Sequence, residues 1–256
     1  MQVVCIDAAW EKELVLNNDI IQHLKDNNVK SVALFASVQF LALDVIKKQL
    51  TDIGITIKLT KAKRTQVEGQ ILGCDAYHDS FGEDILSTSD VIMYIGDGMF
   101  HPKALLLAQM RNKTIKPVLI WNPVSEKKQI IDRQDILPQI RKLKANIVKF
   151  LSTKTIGILV TVKPGQQYLK NAIKLKEKLK SEGKESFIFI DDDLQINLLE
   201  NYPFIDVWVN TACPRIGTDD ITTIPVPLLN IRDIYDPIKT LDELYSEEND
   251  PTLSNS

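Results

Sequence analysis

Residues 29–59 and 153–190 run through the same order of features, and that repetition constrains the fold more than anything else in the chain. "VKSVALFASVQFLALDVIKKQLTDIGITIKL" starts as an apolar, β-rich run and breaks at the polar turn Ala36-Ser37-Val38-Gln39. It continues as a helix with apolar residues three and four apart and returns to a strand after Gly54. "TKTIGILVTVKPGQQYLKNAIKLKEKLKSEGKESFIFI" does the same, with its turn at 161–166 and its helix stop at Gly183. The match extends further: "SDVIMYIGDGMFHP" (89–102) parallels "IDVWVNTACPRIG" (205–217), and "KPVLIWNP" (116–123) parallels "IPVPLLNI" (224–231). The pattern predicts two copies of one α/β unit, each a mainly parallel sheet of about four strands flanked by helices.

The copies are expected at 16–125 and 150–235. Residues 1–15 read as a strand arriving from a preceding unit, and 126–149 as a helical connection in which Pro138 starts a new turn. The C-terminal tail, 236–256, ends in "EENDPTLSNS" and is expected to fray.

A formal net charge of −3 argues against a broad nucleic-acid-binding face. No run approaches the roughly 18 apolar residues of a membrane span, and "MQVVCIDAAWEKE" lacks the pattern of a signal peptide. The cytoplasm is therefore the expected location, with neither nucleic acid nor membrane as a direct partner. Three cysteines, Cys5, Cys74 and Cys213, do not make a disulfide framework, and no CxxC pair suggests a zinc ribbon. The histidines, His23, His78 and His101, are scattered without local metal-binding spacing, so ligands to any metal must come from distant loops.

In parallel α/β sheets, ligands sit beyond the carboxyl ends of the strands. That rule selects the loops at 36–40, 96–102, 161–166 and 210–217. In "VNTACPRIG", Pro214 ends the ladder just after Cys213, and Arg215 sets a positive charge near the sulfur, favouring thiolate; a plain buried thiol at a strand end is the competing reading. Cys74 lies in the glycine-flanked loop "VEGQILGCDAYHDS". "IGDGMFHP" places His101 and Pro102 at a helix start, and "TVKPGQ" is a second strand-to-helix turn, with Lys163 adding charge. Neither a GxGxxG nor a GxxxxGK[ST] pattern is present, so a nucleotide fingerprint is not evident.

Together "GQILGC" (69–74), "GDGMFHP" (96–102), "TKTIGILVTVKPGQ" (153–166) and "VNTACPRI" (209–216) resemble archaeal diphthamide synthase, in family order and over nearly all of residues 1–235. The resemblance implies the fold of that family's second and third domains. It implies transfer of a 3-amino-3-carboxypropyl group, as a radical, from S-adenosylmethionine to a histidine of elongation factor 2. It also implies a [4Fe-4S] cluster held by three cysteines, one from each of three homologous domains, with Cys74 and Cys213 as two of the three. Isolated cysteines far apart in sequence suit such a ligand set. Lys163, Gln166, His101 and Arg215 are the candidate contacts to S-adenosylmethionine.

Against the family pattern, the first domain and its cysteine are not matched, and Cys5 in "VVCIDAAW" stands in the context of a junction strand. The third ligand is then Cys5, a cysteine of another chain, or none; the apolar run around Cys5 favours a packing thiol away from the other two. Expected partners are elongation factor 2 and a homo- or hetero-oligomer, including a chain that supplies the missing domain. The other readings are a non-catalytic paralogue or partner subunit and a two-domain small-molecule-binding protein.

Overall fold

The structure, a computed structural model, describes residues 9–163 and 165–244. Two compact α/β units divide them: one holds the residues up to 110 together with 114–135, the other 111–113 and those from 136 onward. Cys5 and the expected junction strand up to residue 8 lie outside the described residues; residues 9–15 form no strand.

The first unit contains α1 (Asn18–Asp26), β1 (Ser31–Ala36), α2 (Asp44–Asp52), β2 (Thr56–Lys58), the single turn α3 (Ile85–Thr88), β3 (Val91–Ile95), α4 (Phe100–Leu107), β4 (Val118–Asn122) and β5 (Lys127–Ile131). Its sheet runs β2-β1-β3-β4-β5. The first four strands are parallel, in the register Val32↔Val91 and Ile92↔Val118, while β5 pairs antiparallel with β4. The second unit contains α5 (Leu137–Ser152), β6 (Thr155–Thr161), α6 (Leu169–Ser181), β7 (Glu185–Asp191), β8 (Val207–Asn210), β9 (Leu228–Asn230) and α7 (Pro237–Leu244). Its sheet, β7-β6-β8-β9, is parallel throughout. In each unit the second strand, the first, the third and the fourth lie in that order, so the sequence repeat is a repeat of topology.

The central strands are apolar on both faces because helices cover both: β1, β3 and β6 are buried over all but their first residue, and β8 over its whole length. Ile20, Leu24, Ile46 and Leu50 bring α1 and α2 onto β1 and β3. Both α2 and α6 stop at a glycine in the left-handed region, Gly54 at φ +82° and Gly183 at φ +75°, where a side chain would be strained.

Two stretches differ from the expectation. The expected helical connection at 126–149 opens instead with β5, a strand that folds back on β4. Asn122 Oδ1 accepts from the N–H groups of Val124 and Ser125, and Glu126 at φ +54° completes the reversal. Its polar sequence suits an edge strand, where lysines face water. The remainder, α5, belongs to the second unit, with Pro138 in its first turn. The expected tail likewise begins with ordered structure: α7 packs against α5 and buries Thr240 and Leu244.

Candidate functional site

In the first unit, the Cys74 loop is fastened to the carboxyl end of β1. Ala36 N donates to Gly69 O at 2.8 Å and Ile71 N to Ala36 O at 3.1 Å, so residues 69–71 extend the parallel pairing by one rung. A tight turn follows: Asp75 N donates to Leu72 O at 3.0 Å, and Leu72 N donates to the Asp75 carboxylate at 2.9 Å. Cys74 sits on this turn as a half-buried free thiol. Asp75 itself is buried, and burial pushes its carboxyl up, against the Leu72 N–H and the charge of Arg64.

The loop after β3 meets this turn through aromatic rings. Phe100, the first residue of α4, lies on the α-carbon of Gly73: a Cβ there would stand 1.8 Å from the ring, so only glycine leaves room. The His101 ring meets Phe100 edge-on at 5.6 Å and lies nearly parallel to Tyr94 at 6.3 Å. Tyr94 is fully buried on β3, and burial pushes its phenol up to about 12, a shift eased by the Ser37 hydroxyl and increased by the charge of Asp97. The hydroxyls of Tyr94 and Ser37 are both buried, and neither has a partner in good hydrogen-bond geometry among the described residues.

In the second unit, Cys213 follows the end of β8 in a loop organised by two asparagines. Asn210 Nδ2 donates to Cys213 O and to Asn230 Oδ1, each at 2.8 Å, and Asn210 Oδ1 accepts from Ala212 N. Asn230 Nδ2 donates to Pro214 O at 2.9 Å, and its amide occupies the space a side chain at Gly217 would need. Thr211 Oγ1 donates to Leu159 O on β6, fixing the loop to the neighbouring strand. Cys213 is a half-buried free thiol, like Cys74.

Arg215 does not present an open charge to the sulfur. It is 3% exposed, and its guanidinium pairs with the Asp219 carboxylate one helical turn on. Lys163 and Gln166 occupy the turn after β6, beyond the same end of the sheet as Cys213. Lys163 Nζ is exposed and bonded to Asp193 at 2.8 Å, a hydrogen bond that, with the carboxylate's charge, pushes the ammonium up. Gln166 N donates to Lys163 O, closing the turn.

His101 thus joins the Cys74 loop, while Arg215 joins the Cys213 loop as a structural ion pair. Phe100, Tyr94, Asn210 and Asn230 went unremarked in the sequence. The Arg215–Asp219 spacing of four was visible there, whereas the ring on Gly73 joins residues far apart in the chain. Among the described residues no group of three or more His, Cys, Asp and Glu side chains could hold a metal ion, so the soft donors on offer are the two thiols. No helix of the described residues is long and apolar enough to cross a membrane.

The comparisons with known proteins agree with one another. The 2-(3-amino-3-carboxypropyl)histidine synthase of Pyrococcus horikoshii is 32% identical over 190 residues, covering 73% of this chain and 51% of the relative. Subunit 1 of the same-named enzyme of Yarrowia lipolytica is 32% identical over 185 residues, covering 72% of this chain and 39% of the relative. The chain therefore spans about half the length of the first of these relatives and less of the second. The crystal structure of Dph2 from Pyrococcus horikoshii with a 4Fe-4S cluster matches with a TM-score of 0.66 and 27% identity, over 90% of this chain and 62% of that one. The family model for diphthamide synthesis proteins matches residues 6–235, and with that span the chain belongs to the diphthamide synthesis protein family.

Proposed function

We propose that this chain takes part in diphthamide biosynthesis as a 3-amino-3-carboxypropyl transferase or a subunit of one. In this reading S-adenosylmethionine is the group donor and a histidine of elongation factor 2 the acceptor, which implies a cytoplasmic location. The observation that carries the reading is that each unit offers one half-buried cysteine from a braced loop beyond the carboxyl ends of its parallel strands.

The donor set fits an iron-sulfur centre. Thiolates are its usual ligands, and Cys74 and Cys213 are both free thiols. Cys74 and Cys213 would be two of the ligands; the third would come from outside residues 9–244, from Cys5 or from a partner chain in a homo- or hetero-oligomer. A bound [4Fe-4S] cluster supplies the electron for reductive cleavage of S-adenosylmethionine. The protein's part is to hold the two thiols on loops fixed by backbone pairing and amide clasps. Lys163, Gln166 and His101 remain the candidates for contacts to the donor. Arg215 holds its own loop in shape through Asp219.

Anaerobic reconstitution with iron and sulfide, followed by metal analysis, tests this reading. The expected result is a brown protein, or a brown complex once the third thiolate is supplied, that cleaves S-adenosylmethionine on reduction. Cys74→Ser and Cys213→Ser should each lose most of the iron. A protein that stays colourless with its partners present overturns the transferase reading in favour of a non-catalytic paralogue or partner subunit, or of a small-molecule-binding protein.

A further inference from the structure

Phe100 keeps 53% of its surface exposed although it lies in tight contact with Gly73. Leaving half a phenylalanine in water forgoes much of what burial offers, so core packing does not account for this position. The ring is nonetheless held firmly from behind. Tyr94 is fixed within the sheet, His101 lies along Tyr94, and Phe100 meets His101 edge-on. The next contact in the series is the backbone of Gly73, one residue before Cys74. The space for this arrangement is made at two glycines: a side chain at Gly73 would strike Phe100, and one at Gly96 would approach Tyr94 Oη to 2.4 Å and Ser37 Oγ to 3.0 Å.

We infer that Phe100 is a positioning residue that controls access to the Cys74 sulfur, its ring forming one wall over the cysteine turn while His101 and Tyr94 hold that wall in place. The inference rests on the reading of Cys74 as a ligand thiolate. The apolar shell around such a sulfur limits water and reagent access and sets the local dielectric. It adds a bracing role for His101 to its candidacy as a contact to the donor.

The test uses the full chain, without metal, under native and reducing conditions. A pulse of iodoacetamide alkylates the thiolate, forming a sulfur–carbon bond as iodide leaves, and mass spectrometry follows the Cys74 and Cys213 peptides separately. Because Phe100 is half exposed, Phe100→Ala leaves the core intact; it should speed Cys74 alkylation by about tenfold with Cys213 unchanged. Phe100→Leu, which keeps apolar bulk, should stay within about threefold of wild type. Gly73→Ala leaves Phe100 present but removes its seat, and should raise Cys74 reactivity as well. Equal Cys74 rates in wild type and Phe100→Ala overturn the inference. A parallel rise at both cysteines overturns it too, since that reports general loosening. Iron content is read separately: a colourless reconstituted protein whose Cys74 is still shielded by Phe100 would sink the cluster reading and leave the wall standing.

Discussion

Asn210 donates its side-chain amide to Asn230 Oδ1 at 2.8 Å, and both residues are buried. Between them they tie down the carbonyls of Cys213 and Pro214. Asn230→Ala should destabilise the fold by about 1–3 kcal/mol, because Asn210 and the Pro214 carbonyl lose a partner in a dry site. It should also raise Cys213 alkylation without changing Cys74. Urea midpoints with the same thiol-labelling readout check both parts; an unchanged Cys213 rate would show that the asparagines support the sheet and not the cysteine loop.

Arg111 Nη2 donates to Asp233 Oδ1 at 2.6 Å, and Asp233 is buried to within 2%. Burial pushes this carboxyl up, and the charge and hydrogen bond of Arg111 pull it back. Arg111→Met should cost about 3–5 kcal/mol by leaving a buried acid unpaired, and Asp233→Asn in the same chain should recover part of that loss. Equal stability of the single and double variants in guanidinium unfolding would refute the pairing.

Tyr94 makes the fold sensitive to alkali. Its phenol is raised from 10.0 to about 12, with burial as the main cause. The folded state thus holds this proton more tightly than the unfolded chain does. The contribution is full below pH 10 and is lost as the pH rises through about 12, a span equivalent to roughly 3 kcal/mol. Tyr94→Phe should flatten that part of the stability curve while changing stability at pH 7 by less than about 1 kcal/mol, since the hydroxyl it removes has no partner in good hydrogen-bond geometry among the described residues. Urea midpoints measured for both proteins at neutral pH and near pH 11 decide it.

Gly157 on β6 faces Trp208 on β8 across the ladder, and a Cβ at this glycine would stand 2.4 Å from the indole. Gly157→Ala should cost about 1–3 kcal/mol by overpacking and should shift the tryptophan emission. A melting temperature equal to wild type would mean that the indole has room to move.

The repeated strands were legible because a strand buried on both faces reads as an unbroken apolar run, as in Val32–Ala36 and Ile156–Val160. The edge strand β5 was not, because Lys127 and Gln129 are exposed and Lys128 pairs with Asp19, which leaves no such run. The loop of Cys213 was legible at a strand end from the order of elements. That of Cys74 read only as a glycine-flanked loop, and its attachment to the end of β1 at Ala36 was not visible. What those loops are fastened to was hidden, since the ring of Phe100 on Gly73 and the clasp between Asn210 and Asn230 join residues about 20 or more positions apart. The charge of Arg215 was visible, but its effect depends on Asp219, and burial decides that the two neutralise each other.

The grouping of residues 111–113 with the second unit sets an order of events during synthesis. Arg111 emerges from the ribosome 122 residues before Asp233. At ordinary elongation rates that interval is on the order of ten seconds, long enough for the β1–β5 sheet to close first. Throughout it, the guanidinium remains in solvent without the partner it has in the finished protein. The Arg111–Asp233 pair is therefore among the last contacts to form, and a nascent chain stalled before residue 233 would carry a complete first sheet and an unmet positive charge.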